Sequence, residues 1–248
     1  MAVENTFNVK GWDSFEPKNF QNSLIQCRVR LDRVEAFARG GTILDIGCGI
    51  GLFLREAKFR GWHVHGIDVS PFAVSYARQE LGLETVKQMD VENLDYDHDS
   101  MDAVTLYHVI EHVISPRSLL ESIRGILKKG GLLFIEAPDI SSRRARRAGL
   151  NWKYIKVPEH LNYFSAETLS RLLEETGFGL LRREYAVEST GMMNVFLGGE
   201  ERARFLYDRW SRSGAFRLAV RSVRRVNEYI AGRFMREFDV FTMTARKA

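Results

Sequence analysis

The stretch ILDIGCGIGLFL, residues 43–54, decides the fold. A short apolar strand, TILDI (42–46), runs into it, and GLFLREAKFRG (51–61) leaves it with helical apolar spacing, closed by Gly61. Between the two, Gly47, Gly49 and Gly51 alternate, and Asp45 stands two places before the first of them. Glycine surrenders more backbone freedom on folding than any other residue, so this spacing marks a backbone that must turn tightly or be approached closely. A glycine-rich turn from the first strand to the first helix of an α/β sheet is a ligand site. The dinucleotide pattern G-x-G-x-x-G is not met, because position 52 is Leu52, and the Lys-Ser/Thr pair of a phosphate loop is absent. Asp45 would repel a pyrophosphate and favour a cationic ligand.

Working outward, strand and helix alternate. FQNSLIQCRVRLDRVEAFARGG (20–41) reads as an amphipathic helix stopped by Gly40 and Gly41. HVHGIDV (63–69) is a second strand, and Ser70-Pro71 opens the next helix with a serine cap and proline at the first helical position. ETVKQMD (84–90) and MDAVTLYHV (101–109) are the third and fourth strands. Ser115-Pro116 repeats the start signal for a helix with Leu119, Leu120, Ile123, Ile126 and Leu127 on one face, ended by KKGG (128–131). LLFIEAP (132–138) is the fifth strand. Continuous apolar strands alternating with helices imply a mostly parallel sheet covered on both faces. The rhythm then changes: 141–164 is long, basic and irregular, SAETLSRLLEETGF (165–178) is a helix capped by Ser165, and GLLRREYAV (179–187) and FDVFTMTARKA (238–248) are the last strands. Between those two strands lies an Arg-rich helical pattern, about 200–236.

The chain has 248 residues, 45% of them apolar, enough for one sizeable core. No apolar run reaches the roughly 18 residues needed to span a bilayer. The polar, acidic start MAVENTFNVKGWDSFEP is not a secretory signal. Cys27 and Cys48 have no metal-type spacing, which argues against a disulfide framework and for a reducing, cytoplasmic compartment. A net charge of +4 suits an anionic substrate, a nucleic acid or a membrane surface without choosing among them.

The stretch around 45–51 resembles motif I, D/E-x-G-x-G-x-G, of class I S-adenosylmethionine (SAM) dependent methyltransferases, in the ubiquinone-methylase-like small-molecule group. Asp68 at the end of HGID, Asp90 in MDVENL and LYHVIEHV (106–113) match the family's later segments in order and spacing, and the likeness covers about 40–185. It implies an α/β fold, a doubly wound, mostly parallel seven-stranded sheet with the final strand antiparallel. Residues 1–40 would be an N-terminal helical cap, 41–185 the SAM-binding core, 186–236 a helical insertion and 237–248 the last strand. It implies a cofactor seat from Asp45, Gly47, Cys48, Gly49 and Gly51. Asp68 with Val69 would take the ribose hydroxyls, Asp90 with Val91 the adenine, and Tyr107 with His108 would flank the methyl group. Read without the family, Asp68 is also an acid favourable to a helix N-terminus, Asp90 a common strand ending, and Cys48 a packed small residue in the turn rather than a nucleophile.

Two segments bear on the methyl acceptor. If HVIEHV (108–113) is helical, His108, Glu111 and His112 lie on one side. The segment resembles the E-x-x-E-H of ubiquinone-pathway and small-RNA O-methyltransferases, where in the latter it binds a divalent metal. Here His108 replaces the first acid, which weakens the case for magnesium and suits a softer metal. The favoured expectation is no metal: either Glu111 and His112 pair locally and hold the loop, or His108 simply lines the methyl site. VPEHLNYFSAETLSRLLEETGF (157–178) resembles a loop that family members place over the acceptor. It makes His160 the general-base candidate, with Trp152 and Tyr163 as pocket walls, while His108 of the preceding segment is a second catalytic candidate; the plainer reading is that His160 and Tyr163 only fasten the loop. The expected activity is methyl transfer from SAM to a small molecule, with oxygen preferred over nitrogen or carbon. The rivals are a metal-dependent RNA 2′-O-methyltransferase and a SAM-binding scaffold whose Arg-rich helices touch a membrane or partner. Aromatic residues are not interleaved with the arginines as RNA stacking requires, so nucleic acid is disfavoured and peripheral membrane contact stays open.

Overall fold

A computed structural model describes residues 17–186 and 239–248. Its strands form one seven-stranded sheet in the order β3-β2-β1-β4-β5-β7-β6. These are β1 (Thr42–Ile46), β2 (His63–Asp68), β3 (Val86–Gln88), β4 (Met101–Tyr107), β5 (Leu127–Pro138), β6 (Phe178–Ala186) and β7 (Val240–Lys247). The first five run parallel, and β7 inserts antiparallel between β5 and β6. The doubly wound, mostly parallel sheet and antiparallel last strand match the sequence reading. Ala186, expected to open the helical insertion, ends β6 and pairs with Val240; the rest of that insertion, and the first 16 residues of the expected N-terminal cap, lie outside the described residues.

The strands bury both faces. Ile43, Ala103 and Phe134 join one apolar cluster with Leu24, Leu31 and Val34 of α1 (Pro17–Glu35), Leu54 of α2 (Leu52–Phe59) and Val74 of α3 (Pro71–Gln79). Their sequence neighbours Leu44, Val104 and Ile135 join the other, with Leu120 and Ile123 of α4 (Pro116–Ile126) and Leu169 and Leu173 of α6 (Ala166–Glu175). The period of two in each strand divides its side chains between two helix layers. Helix starts follow the sequence signals: Ser70, Ser115 and Ser165 each accept a backbone N–H three residues on.

One boundary differs. KKGG does not lie between helix and strand; α4 ends at Ile126, and Leu127 already pairs with Met101 in β5. The register then jumps so that Ala103 faces Leu132, and Gly130 takes φ +76°. The two glycines therefore absorb a bulge in a long strand. Within the expected irregular region, a short helix α5 (Arg143–Ala148) and a 3-10 turn (Gly149–Asn151) form before a loop that returns to α6. No helix among the described residues is long and apolar enough to cross a membrane.

Candidate active site

The strand order reverses between β1 and β4, so a crevice opens outside their carboxyl ends, where such sheets bind ligands. The turn after β1 enters it. Gly47, Gly49 and Gly51 have φ of +69°, +53° and +83°. A Cβ on Gly47 would stand 2.5 Å from Val109 Cγ2, so glycine serves both the left-handed backbone and close packing. Gly47 and Cys48 donate their N–H groups to the Ile67 carbonyl at 2.9 and 3.0 Å, pinning the turn to β2. Cys48 is buried, and desolvation pushes its thiol pKa well up, so it stays a neutral packed group.

Asp45 sits inside β1, directly across from Thr105 of β4, whose hydroxyl donates to Asp45 Oδ1 at 2.6 Å. Burial dominates its environment and pushes its pKa up to about 7; the Thr105 hydrogen bond and Arg30 pull the other way, and Asp68 adds to the rise. Asp68, at the end of β2, accepts the Gly49 N–H on Oδ2 at 2.7 Å and the Ser70 N–H on Oδ1 at 2.9 Å. Each oxygen keeps a lone pair for a further donor. Val69 is more than a third exposed beside it. Asp90 is exposed and closes a small turn by accepting the Glu92 N–H at 3.1 Å, while Val91 is half-buried next to it. Tyr107 ends β4 with its ring edge-on to Phe53 and the Arg30 guanidinium 4.3 Å above it.

The segment after β4 is a turn, not the helix that would put His108, Glu111 and His112 on one side. His108 has φ +58° and donates its backbone N–H to the Glu136 carbonyl at 2.9 Å. Its ring faces two carboxylates, Nδ1 to Glu111 Oε1 at 3.2 Å and Nε2 to Glu136 Oε1 at 3.5 Å. Burial alone would lower the His108 pKa, but the two carboxylates outweigh it and raise the value to about 9. His108, expected as a second catalytic candidate, is therefore held as an imidazolium with both nitrogens engaged, so it is not placed to accept a proton. Glu136 is the hub: it also meets Arg30, Arg33 at 3.4 Å and the Thr242 hydroxyl at 3.3 Å. Its desolvation is overcome by Arg30, His108 and Arg33, which hold its pKa far below the usual carboxylate range.

The loop before α6 folds onto this turn. Leu161 and Asn162 donate backbone N–H groups to the Glu111 carbonyl, at 2.8 and 3.0 Å, and Asn162 Nδ2 donates to the Val113 carbonyl at 2.7 Å. His160 is thereby buried with its ring edge-on to His112, centroids 4.6 Å apart. Tyr154 stacks between His108 and His160, at 6.2 and 6.3 Å. One donor atom each from Glu111, His112 and His160 fall within 4.8 Å of one another. Two buried polar atoms there, Glu111 Oε2 and His160 Nδ1, have no hydrogen-bond partner among the described residues, and neither does the Tyr163 hydroxyl. His112 Nδ1 lies 2.8 Å from the Glu159 carbonyl, which it can approach only as a donor. Burial and the neighbouring His112 lower the His160 pKa. Trp152, expected as a pocket wall, is buried, and its indole N–H donates to Asp239 Oδ1 at 3.0 Å, fastening the loop to the start of β7.

Sequence reasoning passed over Arg30, Arg33, Glu136 and Tyr154. The signals were present. Glu136 is a charge inside a buried strand, where an unpaired carboxylate is costly. Arg30 and Arg33 each directly precede a buried residue of α1, Leu31 and Val34, and so flank its apolar stripe.

A family model described as a methyltransferase domain matches residues 22–182. The chain belongs to that family. It is a class I SAM-dependent methyltransferase, and SAM is the cofactor its crevice must suit. A ubiquinone biosynthesis O-methyltransferase from Xanthomonas oryzae is 37% identical over 132 residues, 50% of this chain and 54% of that one. The chain thus spans about half the length of the curated relatives it matches. A SAM-dependent methyltransferase structure from Archaeoglobus fulgidus superposes with TM-score 0.60 at 22% identity, covering 91% of this chain and 94% of the other. Phosphoethanolamine N-methyltransferase 2 from Haemonchus contortus, solved with SAM, gives 0.57 at 22%, covering 90% and 52%. At these identities the structures show the fold. The crevice of this methyltransferase fits the cofactor: a carboxylate at Asp45 whose pKa burial lifts to about 7, a partly open carboxylate at Asp68, and a turn of left-handed glycines between them.

Proposed function

We propose that the chain transfers the methyl group of SAM to an oxygen of a small-molecule acceptor. Bound SAM would supply an activated methyl on a sulfonium. On this reading Asp45, the glycine turn, Asp68 with Val69, and Asp90 with Val91 bind and orient the cofactor, while Tyr107 closes the end of the seat. The observation that carries the acceptor side is the pair of buried polar atoms without a hydrogen-bond partner among the described residues, Glu111 Oε2 and His160 Nδ1, the latter an acceptor in the tautomer that carries its proton on Nε2. A hydroxyl presented there would donate its proton to His160 Nδ1 as its oxygen takes the methyl group; amine acceptors need less help of this kind. The ubiquinone biosynthesis O-methyltransferases among the relatives are consistent with an oxygen acceptor. Tyr163 and Tyr154 would wall the acceptor, and Trp152 would hold the loop that carries His160.

A second reading rests on the convergence of Glu111, His112 and His160. One carboxylate and two imidazoles, one oriented by its bond to Glu159, match the donors and outer-shell support of a borderline divalent cation such as zinc or manganese. These residues would hold the ion, which would polarise an acceptor oxygen.

The test is incubation of the full chain with SAM and a panel of phenols, catechols and amines, read by mass spectrometry before and after chelation. Methylated phenol or catechol, lost in His160→Ala with SAM affinity retained, supports the reading. Methylation of amines alone contradicts it. Loss on chelation with restoration by zinc or manganese selects the metal version.

A further inference from the structure

Residues 140–162 carry Arg143, Arg144, Arg146, Arg147, Lys153 and Lys156 against one acid, Glu159. That is more net positive charge than the +4 of the whole chain. All six cationic side chains are exposed. Among them stand apolar side chains that the fold leaves in solvent: Leu150 is 87% exposed, Val157 78% and Leu161 52%. Ile114, 81% exposed, joins them, because Asn162 bonds the Val113 carbonyl and Leu161 bonds that of Glu111. Three of the four most exposed large apolar residues described in the molecule therefore belong to this one end. Isolated exposed leucines need no explanation, but a group of them set among basic residues does.

The loop that carries them is fixed in place. Trp152 and Tyr154 are buried in a small cluster with Ala145 and Val240, and Trp152 is hydrogen-bonded to Asp239. The apolar side chains are thus held out by a packed base. We propose that this end of the molecule, residues 143–161 with Ile114, is a docking surface for an anionic phospholipid bilayer. The arginines and lysines would meet the headgroups, and Leu150, Val157, Leu161 and Ile114 would enter the boundary of the acyl region. A nucleic acid would meet the same charge, but it also needs aromatic faces on which bases stack, and Trp152 and Tyr154 are turned into the protein. The surface adjoins His160, so the bilayer would lie against the entrance of the acceptor site; the docking itself does not depend on which acceptor is methylated.

The test is co-sedimentation of the full chain with vesicles of phosphatidylcholine alone and of phosphatidylcholine doped with phosphatidylglycerol, with a single-stranded oligouridine as competitor. Binding to the doped vesicles and not to the neutral ones is expected, falling with salt. Each basic residue near an anionic surface is worth roughly fivefold in partition, so Arg146→Glu with Arg147→Glu should cost more than tenfold. Leu150→Ser with Val157→Ser should lower partition by about tenfold through lost apolar insertion. Both double variants should keep the parent's SAM affinity by calorimetry, which shows that they are folded. No binding to doped vesicles, undiminished binding of both variants, or tighter binding to oligouridine than to vesicles would each overturn the proposal.

Discussion

Asp45 makes the most specific physical demand on the cofactor. Its carboxyl is buried inside β1, and desolvation lifts its pKa to about 7 despite the Thr105 hydrogen bond. A cation seated over the turn favours the ionised form, so binding should release a proton wherever the free site holds one. If the bound carboxylate is ionised throughout, the ready fraction rises from about one in eleven at pH 6 to about ten in eleven at pH 8, an affinity gain of roughly tenfold. At pH 7 about half a proton should leave per site. Calorimetric titration in buffers of different ionisation enthalpy reads both quantities. Asp45→Asn is the control, because it keeps the shape, removes the titration and leaves the ligand's own amine titration in place. Stability moves the other way. The folded pKa lies above the unfolded one, so ionising Asp45 opposes the empty fold, and stability falls as pH rises from about 4 to about 7. Asp45→Asn should therefore melt higher than the parent at about pH 8, with the advantage fading toward pH 4. An affinity difference between parent and Asp45→Asn that does not change with pH would refute the reasoning.

Asp68→Ala removes the acceptor of both the Gly49 and Ser70 N–H groups; SAM affinity should fall by more than about tenfold, and an unchanged dissociation constant would remove Asp68 from the seat. Gly47→Ala forces an alanine into φ +69° with its Cβ 2.5 Å from Val109; thermal unfolding should show a loss of about 1–3 kcal/mol, partly restored by Val109→Ala. Glu136→Gln strips the shared anion from Arg30, Arg33 and His108; breaking a buried network of this kind costs about 3–5 kcal/mol, and denaturant unfolding within 1 kcal/mol of the parent would contradict it. His160→Ala should cut turnover of a phenolic acceptor while SAM affinity stays nearly intact; equal losses in both would make His160 a structural residue.

The fold was legible because its signals are local. Serine-proline starts, glycine stops and unbroken apolar strands each report on a few neighbouring residues, and the structure uses nearly all of them. KKGG shows the limit, since two glycines can end a helix or ease a bulge, and only the pairing of Leu127 with Met101 decides. The placement of the residues proposed to seat the cofactor was legible for the same reason: Asp45, the glycines and Asp68 lie within 24 residues and reach one crevice through two strand ends. The acceptor side depends on long-range partners. His108 read as a second catalytic candidate because Glu136, which faces its Nε2, is 28 positions away in sequence, and Glu136 looked like a strand residue because its arginines come from α1. Trp152 read as a pocket wall because Asp239, which holds its indole N–H, lies 87 positions further on.

The measurement that tests the central claim most directly is calorimetric titration of the full chain with SAM and with its demethylated product. One site per chain with a dissociation constant on the order of micromolar, weakened in Asp68→Ala, is expected. No binding of either ligand to folded protein would contradict the account.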